Sequence, residues 1–153
     1  MRKYLMFLAA SLTAATPALA NEARVEARGG VYWTPGATEA TAGVAGGYDF
    51  DLGPGAFAGA EVSGDKILAS GTKVALGLTG RLGARLPSGD KLFAAAGYTS
   101  KPCDLCEHST HLGAGWEHSF ASRLYGKVEY RHFFTAHGAP DSNAVSAGLG
   151  VKF

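Results

Sequence analysis

The stretch Cys103-Asp104-Leu105-Cys106, followed by His108 and His111, puts two thiols and two imidazoles within a few residues of one another. Thiolate and imidazole are preferred ligands of zinc and copper, so one reading is a metal site. The other is a disulfide between Cys103 and Cys106, which two intervening residues permit geometrically. Redox enzymes use the same spacing, but no thioredoxin-like βαβ pattern surrounds it here. The two readings stay open at this level. An oxidising compartment would favour the disulfide, in which case neither metal nor cofactor is expected.

Two further pairs, His108-Ser109 and His118-Ser119, have the residue types for acyl transfer, a serine beside a base. His108 has no obvious acidic partner beyond Glu107. His132 and His137 read as solvated surface residues. The other residues with chemistry in them are charges: Lys73, Arg81, Arg85, Lys127 and Arg131 against Glu61, Glu117 and Glu129. If these share an enclosed space, they must pair, because an unpaired buried charge is costly.

The first twenty residues read as a secretory signal peptide. Arg2 and Lys3 precede an apolar run from Tyr4 to Ala15, and Ala18-Leu19-Ala20 is a small-x-small cleavage site. The run is too short for a transmembrane helix, and Pro17 interrupts it. The mature chain, 21–153, would make one domain. The full sequence, with 22 glycines and only 18% charged residues, is unusual for a water-soluble domain. Its net charge of +1 is near neutral and it has no basic block, so no nucleic-acid partner is expected. Nothing later in the chain is long and apolar enough for a transmembrane helix.

Period-two alternation dominates the remainder, the mark of strands. Eight are expected: Ala23 to Trp33, Glu39 to Phe50, Ala56 to Ser63, Thr72 to Leu86, Lys91 to Ser100, Ser109 to His118, Arg123 to Phe133, and Asn143 to Phe153. Sorted by parity, one face carries Val25, Val44, Val62, Leu78, Leu92, Leu112, Val128 and Leu149, with no Asp, Glu, Lys or Arg at its middle. The other carries Arg24, Glu26, Arg28, Glu39, Asp49, Lys91 and Lys152 besides the charges named above. A soluble sandwich turns its apolar face inward and its charges to water. A transmembrane barrel does the reverse, and the mixed signs here suit a narrow lumen. Trp33, Tyr48, Phe50, Tyr98, Trp116, Tyr130 and Phe153 lie on the apolar face toward strand ends, as an interfacial girdle would. Inward Gly43, Gly77, Gly83, Gly97, Gly113, Gly115 and Gly148 would make room for large lumen side chains. The expected fold is an all-β, eight-stranded antiparallel transmembrane up-and-down β-barrel. With both termini periplasmic, the connections Thr34 to Thr38, Gly64 to Gly71, Lys101 to His108 and Phe134 to Ser142 face outward. His118 then falls at the periplasmic end of its expected strand, the wrong side for outer-leaflet lipid, so no catalytic residue is expected.

The end of the chain, Ser146-Ala147-Gly148-Leu149-Gly150-Val151-Lys152-Phe153, resembles the C-terminal signal of outer-membrane barrels, filled by Ser146, Gly148, Val151 and Phe153. Phe57 to Val62, Leu112 to Glu117 and Lys127 to Arg131 resemble strands three, six and seven of the small barrel family of opacity-type and OmpA-like proteins. The resemblance implies a monomer in the Gram-negative outer membrane, surrounded by its lipid and recognised by the barrel-assembly machinery. The chain has no peptidoglycan-binding domain, so cell-wall tethering is not expected. The function expected is a non-enzymatic structural or surface-interaction role with a charge-filled lumen. The alternatives are a narrow porin-like channel and a lipid-modifying enzyme.

Overall fold

The computed structural model describes residues 21–153, and the expected signal peptide lies outside the described residues. Eight strands run β1 (Glu22–Thr34), β2 (Ala37–Gly53), β3 (Ala56–Ile67), β4 (Ala75–Arg85), β5 (Lys91–Thr99), β6 (Ser109–Ser119), β7 (Leu124–Thr135) and β8 (Ser142–Lys152). Each pairs antiparallel with its sequence neighbours, and β1 pairs with β8 to close the barrel. Closure leaves no unpaired strand edge. Phe153 lengthens the seam beyond β8, exchanging backbone hydrogen bonds with Ala23.

The alternation in sequence becomes two faces. Val44, Val62, Leu76, Leu78, Leu112 and Leu149 point outward and are exposed, Leu149 at 68%. Their strand neighbours point inward and are buried, so the lumen holds the core. Short turns join the strands at both ends. Pro35-Gly36 and Pro54-Gly55 are two-residue turns whose glycines take positive φ (93° and 78°), a conformation that favours glycine. At the end opposite the termini, the connections after β3 and β5 are longer, spanning 68–74 and 100–108.

Inward glycines touch large side chains, as expected from the sequence. A Cβ on Gly97 would lie 2.9 Å from His111, one on Gly115 2.4 Å from the Phe93 ring, and one on Gly113 3.1 Å from Arg131. Most strand limits differ from the sequence reading by one to four residues, and three of the differences matter. Strand β3 runs on to Ile67, which brings Asp65 inward. Strand β2 starts at Ala37, leaving only a two-residue turn before it. Strand β4 begins at Ala75, so Lys73 lies outside the barrel wall.

Candidate functional site

Inward side chains come from all eight strands, and they divide the lumen into a packed zone and an open one. In the half nearer the termini, Asp49 of β2 accepts from Arg81 and Lys91 at 2.9 Å each, and Glu117 of β6 pairs with the same two cations. Glu61 of β3 is the hub of the next level. It meets Arg24 at 2.8 Å, Arg28 at 2.9 Å, Arg131 at 3.0 Å and Lys127 at 3.4 Å. Glu26 takes Lys127 at 2.6 Å and the Tyr125 hydroxyl at 2.9 Å, and Glu129 takes Arg131 at 2.6 Å. Six cations and five carboxylates are buried here, and the half-buried Asp65 balances the charge. A neutral, mutually paired set is the arrangement in which buried charges are tolerated.

Three rings fill the space between the charges. Phe57, Phe93 and Tyr125 are buried in the lumen, and the Arg81 guanidinium lies 4.4 Å from the Phe93 centroid and 5.1 Å from that of Phe57. Such contacts add cation–π attraction to packing. Parity alone did not mark these rings, because apolar residues on the charged face look like errors in the pattern.

Toward the far end the packing stops. Arg28 holds Asp65 through two bonds of 2.8 and 2.6 Å, and the His111 ring lies between the hydroxyls of Thr79 (3.0 Å) and Thr99 (3.1 Å). Beyond this level a cavity of about 260 Å³ opens, with hydroxyls of Thr41, Ser109 and Thr135 and the rings of Tyr32 and Phe133 in its wall. Leu105, Cys106 and Glu107 of the 100–108 connection form part of its rim.

The residues singled out in the sequence are distributed as follows. Glu61, Arg81, Glu117, Lys127, Glu129 and Arg131 meet in the lumen. Lys73 does not, which corrects its assignment. It precedes β4, is half exposed, and pairs at 2.5 Å with Asp104 across the two long connections. Arg85 ends β4 at the barrel's lower rim, pairing with Asp51 at 3.3 Å. Arg24, Glu26, Arg28, Asp49 and Lys91 belong to the network as fully as the residues expected, and so does Asp65 at its upper edge. The recurrence of Glu61, Ser63 and Asp65 at every second position was the available signal for the last.

Cys103 and Cys106 are joined by a disulfide, with Cα atoms 5.0 Å apart. Their sulfurs are thus not free ligands, and among the described residues no cluster of three or more His, Cys, Asp or Glu is arranged to hold a metal. His111 sits in the lumen while His108 packs on Tyr98 outside it, so the four residues do not converge. The connection is tied at two acids. The hydrogen bond from Lys73 holds the Asp104 carboxyl below its ordinary range, and the one from Lys101 does the same for Glu107. Neither His-Ser pair is assembled. Neighbours on a strand face opposite ways: Ser119 Oγ accepts from Lys152 at 2.7 Å, while His118 Nδ1 lies 2.6 Å from Asp90 on the outside. Of the terminal signal residues, Ser146 and Gly148 point inward, and Val151 and Phe153 outward.

An apolar outside and a charged inside is the arrangement of a membrane barrel, and comparison with known families agrees. The outer membrane protein beta-barrel domain family matches residues 6–153. The chain belongs to that family. It is therefore an outer-membrane barrel, and its exposed apolar belt faces lipid. A comparison with the curated proteins finds no match. Among solved structures, the N-terminal barrel of Pseudomonas aeruginosa OprF superposes with a TM-score of 0.65 at 15% identity, covering 86% of this chain and 97% of that one. Neisserial surface protein A gives 0.56 at 14% (87% and 97%). Ail of Yersinia pestis, solved also with the heparin analogue sucrose octasulfate, gives 0.59 at 11% (87% and 97%). At these identities the shared property is the fold.

Proposed function

We propose that this family member is a sealed, non-enzymatic barrel with a structural or surface-interaction role, its termini periplasmic and its longer connections outside. The observation that carries this reading is the neutral network centred on Glu61, which takes four cations within 3.4 Å across the narrow lumen. Eight strands enclose only enough room for side chains, and here rings and ion pairs use it. Export would proceed through residues 1–20, and assembly through the terminal strand carrying Ser146, Gly148, Val151 and Phe153.

The test is conductance of the refolded protein in a planar lipid bilayer. A sealed lumen gives no reproducible single-channel steps. Stable steps of uniform size would replace this reading with the narrow porin-like channel.

A further inference from the structure

The open cavity beyond His111 has a chemistry different from the zone beneath it. Tyr32 and Phe133 meet edge to face at 6.0 Å, and with Ile67 and Leu105 they line it with apolar surface. Its charged lining residues are Arg28, Lys66, Arg131, Asp65 and Glu107. Both carboxylates are already engaged. Asp65 has one oxygen on each of two Arg28 nitrogens, and Glu107 pairs with Lys101 at 3.2 Å and His137 at 3.4 Å. One of the cations keeps a free donor. Arg131 spends Nε on Glu129 and Nη2 on Glu61, leaving Nη1, whereas Lys66, the strand neighbour of inward Asp65, is exposed and faces the other way.

A cavity with apolar walls, engaged acids and one spare guanidinium donor selects one class of guest. We propose that it binds a small amphipathic carboxylate. The carboxylate sits on Arg131 Nη1, and the hydrocarbon part lies against Tyr32, Phe133, Ile67 and Leu105. Burial of the apolar part contributes about 25 cal/mol per Å² removed from water, and a charge-assisted bond to guanidinium fixes orientation. The closed zone below makes this a binding site with one entrance.

The probe is 3-phenylpropanoate, titrated against the full barrel in lipid nanodiscs by calorimetry and by NMR of the Ile67 and Phe133 side chains. Saturable binding with shifts confined to those residues is expected, and 3-phenylpropylammonium should bind at least tenfold more weakly. R131Q should weaken the carboxylate at least tenfold. Because that substitution also disturbs the buried network, T135W is the second variant. It fills the cavity from the wall, and should abolish binding while keeping the heat-modifiable gel mobility of a folded barrel. Absence of saturable binding, equal binding of the ammonium compound, or unchanged binding by folded T135W would each overturn the proposal.

Discussion

Glu61 is the residue on which the lumen depends most. Its carboxylate faces Arg24, Arg28, Lys127 and Arg131, and none of the four is exposed enough for water to replace it. Removing one partner from a buried pair leaves an uncompensated charge, at a cost of about 3–5 kcal/mol. E61A should lower the urea midpoint of the lipid-embedded barrel accordingly. Lys73→Ala, by contrast, removes an exposed pair with Asp104 and should change stability by less than about 1 kcal/mol. Equal losses in the two variants would contradict a buried hub at Glu61. Packing makes a comparable claim at Gly150, where an added Cβ would come within 2.5–2.6 Å of two ring carbons and the hydroxyl oxygen of the buried Tyr125. Gly150→Ala must displace that ring from its bond to Glu26, and overpacking of this kind costs about 1–3 kcal/mol. Apart from Asp65, which fell in an apparent connection, the lumen charges were legible in the sequence because each stands at the inward parity of a strand. Phe57, Phe93 and Tyr125 were not, since a ring among guanidinium groups breaks the alternation that identifies the face. Lys73 misled for the opposite reason: it keeps the parity of a strand that begins only at Ala75.

The connection 100–108 is the element whose behaviour separates most clearly from that of the wall. It is held by the Cys103–Cys106 disulfide, by the Lys73–Asp104 and Lys101–Glu107 pairs, and by the bond from the Lys73 amide to the Pro102 carbonyl. None of these belongs to the strand ladder. A disulfide closing so short a loop restricts the unfolded chain little, so replacing both cysteines by serine should cost no more than about 2 kcal/mol. The change should appear as faster amide exchange in 100–108, with the strands unaffected; faster exchange throughout β5 and β6 would show instead that the staple supports the wall. Acid acts on the same element. Asp104 and Glu107 both have carboxyls held below their ordinary range. A folded-state depression contributes stability that is present above the ordinary pKa values, about 4, and is lost as pH falls through the depressed ones. The connection should therefore stay ordered down to about pH 4 and loosen below it, as read by loop amide shifts. Element number, order and direction were readable from period two. Limits were not, since a strand end is set by the last ladder bond, which for β3 lies at Ile67, beyond the apparent turn at Gly64.

For the whole molecule, the sequence carried the closed barrel because alternation in all eight segments admits one solution in which no charge meets lipid. It did not carry the cavity at the far end, which depends on the height at which inward residues change from paired charges to Thr41, Thr99, Ser109 and Thr135. The strongest global test concerns the outer belt. Leu82 is 60% exposed and lies between Ala58 and Ala94 on its neighbouring strands, within the wall of β4. Leu86 lies just past the end of β4, at the rim that carries the termini. Were this surface in water, a lysine at either exposed position would change stability by less than about 0.5 kcal/mol. In a bilayer the cost depends on depth, about 2–4 kcal/mol near the midplane and about 0–1 kcal/mol near the interface. Leu82→Lys should therefore destabilise the protein folded into phosphatidylcholine vesicles far more than Leu86→Lys, with the same lumen and the same ladder in both. Indifference to both substitutions would mean that the belt does not meet lipid at the depth the wall of β4 implies.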